Sequence, residues 1–201
     1  AAGDAPRSAP DTASAGTPAD RDRAARRRRR RARAAAAGLG RSRGGLSSKV
    51  HAAVDAAGLP LAFVLTPGQA ADSPQFRTVL DRIRVPGPTG RPRTRPDAVA
   101  ADKAYSSKAN RAYLRRRRIT AVIPEKTDQQ ANRRNKGSAG GRPVSFDPVR
   151  YRRRNTVERC FQKIKTWRGL ATRYDKTPQS YEAGLHLRGA IMWLKTLTPT
   201  T

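Results

Sequence analysis

Residues 1–38 hold no aromatic residue and no Val, Ile or Leu, so the hydrophobic pattern of the chain begins only at Leu39. A segment built of Ala, Pro, Gly, Asp, Ser, Thr and Arg cannot bury enough apolar surface to offset the entropy of ordering. It is expected to be a disordered tail, with a helical turn around its Ala/Arg block. From residue 49 the pattern becomes strand-like. Residues 49–54 and 61–66 are short runs on either side of Asp55, Ala56, Ala57 and Gly58, and Gly in so short a connection predicts an antiparallel hairpin. Pro67 and Gly68 end the second run. Asp72, with Gln75 three residues on, reads as a capping pair, and Phe76, Val79, Leu80 and Ile83 follow at helical spacing. This explains Asp72 as a cap and removes it from the catalytic candidates.

A Pro/Gly/Arg loop over residues 85–96 leads to an apolar run, 98–101, that ends at Asp102. Residues 110–118 predict a helix and residues 120–123 a short strand stopped by Pro124. Residues 125–145 are polar, Gly-rich and basic, which predicts a mobile loop near a polyanion. Asp147 as N-cap, Pro148 at the first position and Gly169 as a stop delimit a further helix. Its apolar sector is Val157, Cys160, Phe161, Ile164 and Trp167. On the same wheel Tyr151, Arg154, Glu158 and Lys165 share a stripe about 60° wide. One acid then sits among three groups suited to phosphate. No internal repeat is visible, and the mixture of strands and helices predicts an α/β fold.

Composition narrows the partner. The 201 residues give room for one domain and a tail, with 36% hydrophobic residues permitting a core of modest size. Lys plus Arg number 43 against 15 for Asp plus Glu, a net charge of +28, and the isoelectric point is near 11.8. Such a chain repels itself unless a polyanion is close, and nucleic acid is the obvious one. A membrane surface is disfavoured: no run approaches the roughly 18 apolar residues that span a bilayer, and the mean hydropathy is -0.77. The run of six arginines at residues 26–31 reads as a salt-sensitive, non-specific phosphate contact. Cys160 is the only cysteine, so no intrachain disulfide is possible; it reads as a small buried hydrophobe in a reducing cytoplasm. His51 and His186 are too few for a zinc site and read as core or cap residues. The apolar stretch after the arginines is too short for a secretory signal. The chain begins with Ala and contains one Met, Met192, so either an initiator was removed or the sequence is part of something longer.

The spacing Tyr-x2-Arg-x3-Glu-x6-Lys over residues 151–165 resembles the signature of bacterial insertion-sequence transposases of the DDE class, whose catalytic domain is ribonuclease-H-like. GRSRGGLSSKVHAAVDAAGLPLAFVLTPGQAADSPQF, residues 40–76, looks like the segment that follows the family's first catalytic strand. AVAADKAYSS looks like the strand carrying the second catalytic Asp, and RYDKTPQSYEAGLHLRGAIMWL, residues 173–194, like the C-terminal helix. The resemblance covers about four fifths of the chain, from Leu39 onward, and implies a partial ribonuclease-H-like domain over residues 39–201, a single mixed sheet with flanking helices.

It also implies a chemistry. Phosphodiester cleavage needs a nucleophile at neutral pH and a clamp for the charge that builds on phosphorus oxygens, and divalent ions supply both. Carboxylates are the ligands Mg²⁺ or Mn²⁺ takes. Asp102 and Glu158 are therefore the catalytic, metal-binding candidates. Arg154 and Lys165 would hold phosphate, and Tyr151 would donate to phosphate or stack on a base; a buried core aromatic is the other reading of Tyr151. The implied partner is double-stranded DNA, at transposon ends and target, with a homodimer on the DNA and a nucleoid-associated location in the cytoplasm. The family's third acid lies on the central strand just upstream of the segment beginning at Gly40, and no such strand is identifiable. Asp11 stands at roughly the right distance but among Pro6, Pro10 and small residues that make poor strands. The expectation is a chain inactive alone, with its central strand missing. The alternatives are a non-catalytic basic nucleic-acid-binding protein and a host nuclease of the same fold.

Overall fold

In the computed structural model, which describes residues 17–197, Thr17 opens a 19-residue helix, α1 (Pro18–Ala36). Its Oγ1 accepts from the Asp20 amide at 3.3 Å, and Pro18 occupies the first turn. The helical turn expected at the Ala/Arg block is here a helix of 19 residues, longer than expected within a tail read as disordered, because Ala and Arg stand high in helix propensity, which needs no apolar face. The helix buries no residue. Only its exit is tied down, by Arg173 donating to the Ala37 carbonyl at 2.5 Å and Ser48 Oγ donating to that of Gly38 at 2.6 Å. Asp11 lies outside the described residues.

Strands β1 (Gly40–Ser42), β2 (Gly45–Val54) and β3 (Pro60–Pro67) form an antiparallel sheet in chain order. The expected hairpin is β2–β3, in register from Ser48↔Pro67 to Val54↔Pro60. Its turn is held by the Asp55 carboxylate, which accepts from the amides of Ala57 and Leu59 at 2.9 and 2.8 Å. Gly58 supplies the positive φ, +84°. Helix α2 (Asp72–Asp81) follows, with Phe76, Val79 and Leu80 buried. Its N-cap is Ala71, without a side-chain cap. Asp72 instead turns to β2, 3.1 Å from Lys49 Nζ and 3.5 Å from His51 Nδ1. The carboxylate pairs with the Lys49 ammonium beside the His51 ring and makes no cap hydrogen bond, and the capping-pair reading is corrected.

Strands β4 (Ala98–Ala100) and β5 (Thr120–Val122) pair in parallel, joined by α3 (Lys108–Arg116). They form a second sheet, separate from the first, where a single mixed sheet was expected. The loop expected over residues 125–145 contains a helix, α4 (Thr127–Asn135), that buries nothing and so left no apolar period to read. Polar ties hold it: Gln129 Nε2 donates to the Ser106 carbonyl at 2.6 Å, and Arg133 pairs with Glu125.

The helix expected between Asp147 and Gly169 is divided. α5 (Pro148–Arg152) passes through a tighter 3-10 turn, Arg153–Asn155, into α6 (Thr156–Lys165). Gly169 lies inside a further short helix, α7 (Arg168–Thr172), and does not stop the first. The last helix is α8 (Pro178–Leu197). Cys160 and Ile164 of α6 enter one apolar cluster with Phe63, Leu170, Tyr181 and Leu185. A second cluster joins α2 and α3 to the other face of the first sheet, around Phe76, Leu80, Leu114 and Ile123. β2 serves both, because Val50, Ala52 and Val54 point to the first and Ala53 to the second. Gly189 lets α8 close on β3: a Cβ there would stand 3.1 Å from Pro60.

Candidate active site

Asp102 follows β4 by two residues, in extended backbone at φ -64° and ψ 159°, and opens the 3-10 turn Lys103–Tyr105. Ser106, at the end of that turn, is buried and held by Arg111, whose Nη2 also reaches the Ile123 carbonyl at 2.8 Å. The Asp102 side chain is thus delivered at the carboxyl end of a strand, half exposed.

Glu158 is delivered from the other side. The Asp147 carboxylate accepts from the Val149 and Arg150 amides, each at 3.0 Å, and starts α5 as expected. Burial of Cys160 and Ile164 then fixes the rotation of α6 and leaves Glu158 on its exposed edge. Between the two acids lies Arg154, with Nη1 2.7 Å from Asp102 Oδ1 and Nη2 3.9 Å from Glu158 Oε1. Its guanidinium carbon is 5.4 Å from the centroid of the Tyr151 ring. Tyr151 in turn meets Phe146 edge to face, at 5.2 Å, and belongs to neither apolar cluster.

Four of the five expected side chains, Asp102, Tyr151, Arg154 and Glu158, are therefore brought together. Lys165 is not. It is exposed in the last turn of α6, about 10 Å along the helix from Glu158 at 1.5 Å per residue, and has no place in the cleft lining. The 3-10 turn also means that the wheel angles predicted for one continuous helix do not carry from Tyr151 to Lys165.

The two acids line a cleft of about 790 Å³. β2 and β4 form two of its sides, α2 and α6 the others, with Arg150, Arg153 and Arg154 among its lining residues. The structure adds three residues to the site. Asp72 lines the same cleft. Tyr105 has its hydroxyl pushed up to about 12, by burial first and then by the Asp72 and Asp102 carboxylates. His51, hydrogen-bonded to Thr66 Oγ1 at 2.8 Å, is held below its ordinary value by burial, with Asp72 opposing. The sequence signal for them was the pair Lys49 and His51, two residues apart and so on one face of a strand, which invites an acid from across the fold. Among the described residues no group of three or more His, Cys, Asp or Glu side chains converges as a metal cage. Cys160 is fully buried, its thiol pushed up to about 11 by desolvation, and is no nucleophile. No described helix is long and apolar enough to cross a membrane.

A family model described as a transposase DDE domain matches residues 19–193. A transposase for insertion sequence element IS6501 of Brucella ovis is 30% identical over 151 residues, covering 75% of this chain and 100% of the relative. A transposase for insertion sequence element IS402 of Burkholderia cepacia is 32% identical over 158 residues, covering 78% of this chain and 66% of the relative. No solved structure matches.

Proposed function

The chain belongs to the DDE transposase family of insertion sequences, and from that premise we propose that it cleaves and transfers a DNA strand at the ends of its element, with Asp102 and Glu158 as ligands of a divalent cation. The observation that carries this reading is Arg154. One guanidinium stands within ion-pair reach of two carboxylates from different elements, so the space between the acids is already a seat for positive charge. Two carboxylates, with water completing the shell, are a donor set suited to Mg²⁺ or Mn²⁺. Such a cation, when bound, supplies a nucleophilic oxygen at neutral pH and stabilises the leaving one.

The chain's own residues do the positioning. Phosphate offers Arg154 a bidentate partner. Rotation of the guanidinium onto a bound strand would release both acids. Tyr151 beneath it guides that movement, and Lys165 meets phosphate farther along the backbone. Arg150 and Arg153 hold the strand at the rim. A homodimer on double-stranded DNA belongs to the same reading, as does a ribonuclease-H-like domain whose central strand, and with it the third acid of the family, is not found among the described residues.

The chain alone is accordingly expected to bind DNA and to nick it only in traces. The test is a supercoiled plasmid carrying the element's ends, incubated with the purified chain and Mg²⁺ or Mn²⁺. Retardation of the plasmid with trace nicking that Asp102→Ala and Glu158→Ala abolish supports the reading. Robust cleavage lost in Asp102→Ala would overturn the expected inactivity. Nicking that survives both substitutions would remove Asp102 and Glu158 from the chemistry, leaving a basic DNA-binding protein.

A further inference from the structure

The first hairpin of the antiparallel sheet reaches past the sheet itself. β2 pairs with β1 at residues 45–47 and with β3 only from Ser48 onward, so β1 and the start of β2 project beyond β3 as a two-stranded arm closed by Arg43 and Gly44. The base of the arm is clamped. The Gly68 amide donates to the Ser47 carbonyl at 3.0 Å, Ser48 Oγ donates to the Gly38 carbonyl at 2.6 Å, and Arg173 donates to Ser48 Oγ. Gly40 and Pro67 pack so closely that a Cβ on Gly40 would stand 2.7 Å from that of Pro67. An arm held this firmly at one end transmits force at the other.

Its tip has a different composition. Residues directly opposite on neighbouring strands share a face, so Arg41 and Leu46 stand side by side, and both are exposed. Leu46 is 54% exposed and belongs to neither apolar cluster. The side chains of Arg41 and Arg43 take no hydrogen-bond or ion-pair partner among the described residues. Between them and Leu46 the turn is thin. Gly44 takes no positive φ, and a Cβ there would meet nothing within 4 Å, so neither its backbone nor its packing calls for glycine. A tip that must enter a narrow space does.

A single apolar side chain beside two unpaired arginines does not make the centre of a protein interface, which is depleted of charge and rich in aromatic residues. It does match the way proteins enter the minor groove of a duplex, where arginines are drawn to the negative potential and an apolar wedge parts two base pairs. The position of the arm agrees with this partner. The arginines at residues 26–31 of α1 lie one short connection upstream, across residues 37–39. Just past the base of the arm, Lys49 meets Asp72, which lines the cleft of the two acids. Leu46 is three residues farther out than Lys49, about 10 Å at roughly 3.3 Å per residue.

We propose that residues 40–47 form a DNA-distorting arm: Arg41 and Arg43 enter the minor groove of double-stranded DNA, and Leu46 wedges between two adjacent base pairs and unstacks them. The inference rests on DNA as the chain's partner and is independent of cleavage by Asp102 and Glu158. α1 supplies grip through phosphates, and the arm supplies deformation.

The experiment incubates a closed circular plasmid with the full chain and topoisomerase I, removes the protein and resolves the topoisomers. Base pairs parted by a wedge lose twist, so the native chain is expected to leave a negative shift in linking number that grows with the amount bound. At equal occupancy, set by anisotropy on a short labelled duplex, Leu46→Ala is expected to cut the shift at least fivefold and Leu46→Met, which keeps an apolar wedge, to preserve it. Leu46 lies outside both apolar clusters, so neither substitution disturbs the fold. Replacing Arg41 and Arg43 together by Ala is expected to lower the slope of log K against log salt by up to about 2, at roughly 0.9 per phosphate contact. Bound chain without any shift, or a shift of equal size from Leu46→Ala, would overturn the wedge and leave DNA as the partner. Failure to bind the duplex at all would overturn the partner and the wedge together.

Discussion

Arg154 is the residue on which the geometry of the site turns. A guanidinium held between Asp102 and Glu158 would compete directly with the divalent cation proposed for the same two carboxylates. Replacing it by Met, of similar length and no charge, is expected to tighten Mn²⁺ binding severalfold. Asp102→Ala is expected to abolish that binding, and isothermal titration of each variant without DNA checks both. His51 offers a second expectation, this time in pH. Burial holds its folded value below the ordinary 6.5, so between the two values the unfolded chain binds more protons. The stability it contributes is full above about 6.5 and is lost as pH falls through the folded value. The urea midpoint should therefore drop between pH 7.5 and 5.5, and drop less in His51→Gln. The residue types in both places were legible in the sequence. Their partners were not: the Asp102–Arg154 pair and the Asp72–His51 pair join residues distant along the chain, and no spacing rule connects such positions.

At the scale of elements, periodicity served wherever one face is buried. The β2–β3 hairpin, α2 and the apolar side of α6 emerge near their expected places because burial imposes the period. It failed where burial is absent. α1 and α4 contain no buried residue and are held by capping, propensity and polar ties, none of which writes an apolar stripe. The division of the site helix is a related case, since a 3-10 turn changes the rotation per residue without breaking the run of helical residues. Asp147 anchors this arrangement. α5 has five residues, too few to persist unaided. Asp147→Ala is expected to cost about 1 kcal/mol, the usual worth of an N-cap, measured as a lowered urea midpoint. Because α5 carries Tyr151, the same substitution should weaken DNA retention more than its effect on stability would suggest.

The whole molecule is governed by charge and by two small, separate sheets. With a net charge of +28, association with DNA should be dominated by counterion release. Replacing the six arginines at residues 26–31 with alanine is expected to reduce the slope of log K against log salt by up to about 5, at roughly 0.9 per phosphate contact, with little change in melting temperature. The helix they occupy buries nothing, which is why its loss of charge should register in binding and hardly in stability. The sequence by itself determined the polyanionic partner, the α/β alternation, the buried faces and the family, because composition, hydrophobic period and local spacing are properties of neighbouring residues. The tertiary structure alone decided that Arg154 bridges Asp102 and Glu158, that Asp72 answers β2 instead of capping α2, and that the strands separate into two sheets around an open cleft. Those outcomes depend on which distant surfaces meet, and that is settled by packing and by the pairing of charges and backbone edges across the fold.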